Sequence, residues 1–316
     1  SQLTDNLGIC NPSIFIDGGD IHLVLRNVNY VLWNCDNEYK FTSPYGPLCY
    51  ITREDDLNLR TKNFLCKLID NALSYRLIDM TFDKEPLWEF VGLEDARLVR
   101  WDNKLYITGV RRDTTTNGVG RMELSEIDEN GKELSRIRIK SPESEDVYCE
   151  KNWMPILDKP YHYVRWCNPL QIVRVNPTDG SCEIVINKEN PKDVEYLNTN
   201  GMSIRGSSQV INYNDYNIAI VHLCQLWCNE KKQKSNTNYF EQFIVWDKEW
   251  NLIKLSEPFK FVNFGIEFTN GLAIKDDNLL IPFALQDNFS FLLTINIQIV
   301  LDFIFNKNSS FGNYEL

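Results

Sequence analysis

Four carboxylates and seven cationic or ionisable side chains stand out in this chain, because each opens or closes a short apolar run and can reach a shared cleft from there. The acids are Glu94, Asp95, Glu267 and Asp287; the others are Arg26, Arg97, Arg112, Lys151, Arg165, Arg205 and His222, with Asn11 as a neutral companion. Gathered cations hold an anionic group such as phosphate, and carboxylates beside them bind sugar hydroxyls and move protons. Trp88, Phe90, Trp153, Trp166 and Trp227 offer faces for sugar rings, although core packing is the commoner use of a large aromatic.

These residues need a scaffold that repeats, because they recur in one pattern. A polar cluster, a strand, a turn and a second strand ending in polar groups come back five times, at intervals of roughly 55 to 85 residues. The copies open at Asn11-Pro-Ser, Glu94-Asp-Ala-Arg, Lys151-Asn-Trp-Met-Pro, Arg205-Gly-Ser-Ser and Glu267-Phe-Thr-Asn-Gly. Their turns fall at Asp17-Gly-Gly-Asp, Trp101-Asp-Asn-Lys, Asp158-Lys-Pro, Tyr213-Asn-Asp and Lys275-Asp-Asp-Asn. A unit of that length with about four strands is a propeller blade, and five blades close a ring with few exposed sheet edges. The chain is therefore expected to be all-β, a single five-bladed β-propeller domain over residues 1–316, with the polar openers converging at one mouth of the channel. Leu65, Leu68 and Leu73 lie near helical spacing, which predicts a short helix or loop cover over Asn58 to Leu77, between the first and second blades. Phe289 to Phe305 is the most apolar stretch, and the strand-like spacing of Asn296, Gln298 and Asp302 argues against a membrane span.

Composition narrows the partners. With 33 Lys and Arg against 44 Asp and Glu, the net charge of −11 disfavours nucleic acid and anionic membrane. No basic and apolar leader follows Ser1. The 9 cysteines include no CxxC pair, which reads as reduced thiols of a cytoplasmic protein. His222, Cys224 and Cys228 have the alternation of a strand rather than zinc spacing, so no metal is expected. Gly118 and Gly120 precede no helix pattern and make no nucleotide loop.

Gly92-Leu-Glu-Asp-Ala-Arg, followed by a turn and Leu105-Tyr-Ile-Thr, resembles the Gly-x-Glu-Asp-Pro-Arg motif of the mannoside phosphorylases, glycoside hydrolase family 130. Lys151 stands where that family has a phosphate-binding lysine, and His222 closes a strand as its phosphate-contacting histidine does. The resemblance implies inverting cleavage or synthesis of a β-mannoside of an oligosaccharide or glycoconjugate, with inorganic phosphate as co-substrate and no other cofactor. In that scheme Asp95 is the catalytic acid, acting directly or through a sugar hydroxyl. Lys151, His222 and Arg165 hold phosphate, while Asn11, Arg26, Glu94, Arg97, Arg112, Arg205, Glu267 and Asp287 bind substrate. Ala96 replaces the family's proline, and Arg205-Gly-Ser-Ser-Gln is closer to propeller modules beside glycosyltransferases. An inverting hydrolase, a glycosyltransferase and a non-catalytic glycan-binding module remain the alternatives.

Three expectations concern individual side chains. Neighbouring residues of a strand point to opposite faces, so only one of Glu94 and Asp95 should face the channel, leaving the other to backbone or Arg97. Lys151, opening an apolar inner strand, should be buried without a partner, a costly position that a bound anion would relieve. Glu267 and Asp287 would be bases in a hydrolase and hydroxyl ligands in a phosphorylase.

Overall fold

The computed structural model describes residues 8–33, 49–52, 56, 58–70, 72–144, 146–190, 202–228, 234–262 and 266–305. They form a five-bladed β-propeller. The innermost strands are Ile9–Asp17, Leu93–Trp101, Met154–Pro155, Met202–Gly206 and Glu267–Thr269, in blades 1 to 5 respectively, and each begins at or beside one of the polar clusters. Each is followed by an antiparallel second strand: Asp20–Val28, Lys104–Arg111, His162–Cys167, Tyr216–Cys228 and Asn278–Leu285.

The tight turns have a simple cause. Asp17 pairs with Asp20 across Gly18 and Gly19, and Trp101 pairs with Lys104 across Asp102 and Asn103. All four linking residues have positive φ, as a hairpin turn matched to strand twist requires. Between blades the apolar faces interlock. Trp101, Trp153, Tyr163 and Val173 meet between blades 2 and 3, while Val164, Leu170, Ala219 and Trp246 meet between blades 3 and 4. Full burial of side chains this large is worth about 1.5–3 kcal/mol each, so the inter-blade layers rather than the channel carry the stability.

Two expectations are corrected. Asn58 to Leu77 is no helix: Leu59–Ile69 and Ala72–Leu77 are the third and fourth strands of blade 1. Leu59, Thr61, Asn63 and Leu65 are buried at every second position, so the near-helical leucine spacing is incidental to a period of two. The elaboration lies inside blade 1, as a hairpin of Tyr30–Trp33 with Cys49–Thr52 between its second and third strands. Phe289 to Phe305 changes type midway, with a strand at Phe289–Asn296 and a helix at Ile297–Phe305. Asn296 Oδ1 caps that helix by accepting from the Gln298 amide at 2.9 Å, and Ile297, Val300 and Ile304 form its buried face. Among the described residues no helix is long and apolar enough to cross a membrane.

The channel is closed by polar cross-links. Where the inner strand of blade 4 breaks, Gln209 donates to the carbonyls of Ile14 at 2.7 Å and Leu98 at 3.3 Å and accepts from the Leu272 amide at 3.0 Å. Asn270, at the break in blade 5, donates to the carbonyls of Asn11 and Ala96, both at 3.1 Å. Gln209 and Asn270 are fully buried. Backbones approach closely here: a Cβ at Gly206 would overlap the Asn152 carbonyl oxygen.

Candidate active site

Irregularities in the inner strands place the site residues. The register shifts between Cys10 and Ser13 in blade 1 and between Glu94 and Arg97 in blade 2, and the displaced residues Asn11 and Asp95 have φ of 45° and 53°. Asparagine and aspartate tolerate this left-handed conformation better than most residues. The bulge overturns the expectation that Glu94 and Asp95 must face apart. Both reach one guanidinium: Arg26 lies 2.8 Å from Asp95 Oδ1 and 3.6 Å from Glu94 Oε2.

Arg26 is itself fixed, donating to Thr61 Oγ1 at 3.2 Å and to the Tyr30 hydroxyl at 3.0 Å. Asn11 Nδ2 donates to Asp95 Oδ1 at 2.7 Å. The two carboxylates of the Glu94-Asp95 pair keep 18 % and 16 % exposure, enough to meet a ligand. Glu94 Oε1 and Asn11 Oδ1 accept no hydrogen bond from the described protein, and such orphans suit ligand hydroxyls.

The environment separates the three acids. Burial pushes Asp95 upward, but Arg26, the Asn11 amide, Arg97 and Lys151 outweigh it and hold the carboxyl below its ordinary range. For Asp287 burial wins over Arg26, with Asp95 adding repulsion, and the carboxyl is raised. Glu94 is raised for the same reasons.

On the opposite side, between blades 3 and 4, a cavity of about 290 Å³ is lined by Lys151, Asn152, Arg165, Trp166, Ser203 and Arg205, among others. Lys151 is exposed rather than buried, which corrects the sequence expectation. The regular strand starts only at Met154, and left-handed Asn152 (φ 62°) leaves Lys151 at the cavity rim. Among the described residues neither Lys151 nor Arg205 has a carboxylate within ion-pair distance. Arg205 Nε donates to Ser203 Oγ at 3.2 Å.

His222 is buried beside this cavity, with Nδ1 2.8 Å from Ser207 Oγ, its ring 4.9 Å from that of Tyr239 and 5.2 Å from that of Phe268. Burial, then Arg205, Lys151 and Arg97, push it well below the ordinary histidine value, so it is neutral.

Other predicted residues are engaged elsewhere. Arg97 does not pair with Glu94; it donates to the Ser207 carbonyl at 2.9 Å and the Asp95 carbonyl at 3.0 Å, tying blade 2 to blade 4, and burial lowers it to about 10. Arg165 reaches the cavity, but its charge is matched by Glu150 at 2.7 Å and Glu143 at 3.0 Å. Arg112 donates to the Tyr148 hydroxyl at 2.6 Å and lies over the Phe90 ring at 4.8 Å. The carboxylate of Glu267 accepts from the amides of Phe261 and Val262. Trp153 is core, donating to Glu150 at 3.1 Å. The side chains of Trp227 and Cys228 lie outside the described residues.

Sequence reading missed Tyr30, Asn152 and Tyr239. Asn152 follows Lys151 inside a recognised opener and could have been included. Tyr30 opens the Tyr30–Trp33 hairpin strand and Tyr239 lies on a third strand, Lys234–Trp246, where the repeat carries no signal.

No family model and no curated protein matches this sequence. Solved structures do match in fold. The β-1,2-mannobiose phosphorylase from Listeria innocua, in complex with β-1,2-mannobiose, is 12 % identical with a TM-score of 0.53, over 95 % of this chain and 93 % of that one. A mannose phosphorylase from Leishmania mexicana, in complex with phosphate ion, is 12 % identical with a TM-score of 0.51, over 94 % and 86 %. A GDP-Man-dependent mannosyltransferase from Leishmania mexicana is 12 % identical with a TM-score of 0.55, over 92 % and 86 %. Identities this low establish likeness of fold: the chain has the five-bladed architecture of the mannoside phosphorylases of glycoside hydrolase family 130.

Proposed function

We propose that this protein is a carbohydrate-active enzyme that cleaves or forms a β-mannosidic bond with inorganic phosphate, inverting the anomeric centre. The carrying observation is the division of the pocket: a carboxylate cluster around Arg26 on one side, and on the other a cavity where, among the described residues, Lys151 and Arg205 have no carboxylate within ion-pair distance. In this reading the mannosyl ring sits by Asn11, Glu94, Asp95 and Asp287, whose acceptor atoms take its hydroxyls. Phosphate lies by Lys151 and Arg205, and neutral His222 offers hydrogen bonding without adding charge.

In the cleavage direction a phosphate oxygen forms a bond to the anomeric carbon as the glycosidic C–O bond breaks. The leaving oxygen takes a proton from Asp95, directly or through a sugar hydroxyl. The free protein holds Asp95 ionised, so the proton must come with the ligands. Phosphate at Lys151 supplies a reason, because it neutralises one of the cations that lower the Asp95 carboxyl.

The test is product analysis with β-1,2-mannobiose, with and without phosphate. Mannose 1-phosphate formed only with phosphate is expected. Free mannose released equally fast without phosphate would replace this reading with hydrolysis, and binding without turnover would replace it with a glycan-binding module.

A further inference from the structure

The opener Arg205-Gly-Ser-Ser carries a serine that phosphate and sugar binding leave without a task. The inner strand Met202–Gly206 ends just before it, and Ser207 is fully buried at the break. Its backbone is held on both sides. The Ser207 carbonyl accepts from Arg97 Nε at 2.9 Å and from Nη2 of the same guanidinium, while the Ser208 amide donates to the Ile220 carbonyl at 3.1 Å. The hydroxyl therefore starts from a fixed point, and among the described residues its partner is His222 Nδ1 alone, 2.8 Å away. The imidazole is steadied in turn by the rings of Tyr239 and Phe268, and no described residue hydrogen-bonds its Nε2.

We infer that Ser207 is a positioning residue that fixes the tautomer of His222, keeping the ring proton on Nε2 as the donor to phosphate; this rests on the phosphate-dependent reading above. Counting hydrogens decides the direction. A neutral imidazole has one N–H and one lone pair. If Nδ1–H donated to Ser207 Oγ, the serine hydrogen would be left without an acceptor in a fully buried site, a state that folded proteins avoid. With the roles reversed, the hydroxyl donates to Nδ1 and the proton stays on Nε2. The rival acceptor is the Gly206 carbonyl, which also favours a proton on the ring. Were Nδ1–H to donate there, Nε2 would offer the anion a lone pair. Phosphate oxygens accept hydrogen bonds, and Lys151 and Arg205, both close enough to act on the ring, are donors only. An Nε2–H completes that set of donors, whereas a lone pair would repel the anion they hold.

The experiment is proton–nitrogen correlation NMR of the imidazole rings in wild type and Ser207→Ala, joined to calorimetric titration of both with inorganic phosphate and with β-1,2-mannobiose. The chain has 3 histidines, so His222→Gln assigns the signals. Wild type is expected to show His222 protonated at Nε2 and bare at Nδ1 at neutral pH, a result that depends on no variant folding. Ser207→Ala keeps the carbonyl that holds Arg97. It is expected to lose the single tautomer and to bind phosphate about tenfold more weakly, with mannobiose affinity unchanged. Wild type that binds phosphate with the proton on Nδ1 overturns the inference and leaves the phosphate reading intact. So does a Ser207→Ala protein that keeps either the wild-type tautomer or the wild-type phosphate affinity. An equal loss of mannobiose affinity would make Ser207 a structural residue and overturn the inference too. Wild type that binds no phosphate overturns the reading beneath it, whatever the tautomer.

Discussion

The two halves of the pocket solve opposite electrostatic problems. By blades 1, 2 and 5, Glu94, Asp95 and Asp287 crowd together near Arg26, which pairs with Asp95 and Glu94 while burial raises the Glu94 and Asp287 carboxyls, and which is itself fixed by Tyr30 and Thr61. Between blades 3 and 4 Lys151 and Arg205 have no carboxylate within ion-pair distance among the described residues, while Arg165 in the same cavity pairs with two. A half whose acids are held by one fixed guanidinium and keep free acceptor atoms suits neutral hydroxyls and proton movement, whereas a half with unmatched cations is completed by an anion. Changes in the first should therefore damage chemistry, and changes in the second should damage anion binding.

The largest effect expected is from Asp95→Asn. It removes the proton donor while keeping size and a hydrogen bond, so turnover should fall about 10²–10⁴-fold, read by steady-state kinetics. Melting should stay close to wild type, because Glu94 still faces Arg26. A variant that melts far below wild type would make Asp95 a structural anchor and dissolve the distinction between the halves.

Arg97→Met probes the tie between the halves. Arg97 touches backbone on blades 2 and 4 and no carboxylate side chain. Its loss strands the Ser207 carbonyl and should lower folding stability by about 3 kcal/mol, measured by urea unfolding. Folded enzyme should keep its affinity for phosphate; unchanged stability with lost affinity would assign Arg97 to ligand instead.

Lys151→Ala should weaken apparent phosphate affinity by roughly 10–100-fold, since a charge-assisted hydrogen bond is worth about 1.5–3 kcal/mol. Affinity for β-1,2-mannobiose measured without phosphate should move much less. Equal losses in both would mean that the cavity is not a separate anion site.

The smallest effect concerns pH. His222 is neutral in the folded protein well below its ordinary value of 6.5, because of burial first and then Arg205, Lys151 and Arg97. Below 6.5 the unfolded chain takes up a proton that the folded protein refuses, so this contribution to stability is present above 6.5 and is lost as the pH falls. The slope for one proton is about 1.4 kcal/mol per pH unit. His222→Gln should remove that share of the slope in unfolding curves taken between mildly acidic and neutral pH. Identical slopes in both proteins would contradict the neutral assignment.

The fold was readable from the sequence where local chemistry and global topology agree. Gly18-Gly19 and Asp102-Asn103 announce turns because few other residues accept positive φ at consecutive positions. The polar openers were legible because each interrupts an apolar strand. Both carboxylates of Glu94-Asp95 meeting Arg26 was not, since a bulge reverses the alternation that strand logic assumes. The matching of Arg165 was hidden for another reason: Glu143 and Glu150 precede blade 3 in a connection without periodicity, and only the fold shows which cation they satisfy. At Asn58 to Leu77 and in the terminal helix, apolar runs were too short for spacing alone to distinguish helix from strand.

The most direct test of the central claim is calorimetric titration of inorganic phosphate into wild type and Lys151→Ala in the absence of sugar. The account predicts one phosphate per chain for wild type and an affinity weaker by roughly 10–100-fold in the variant. No phosphate binding by wild type, or the same affinity in both proteins, would contradict it.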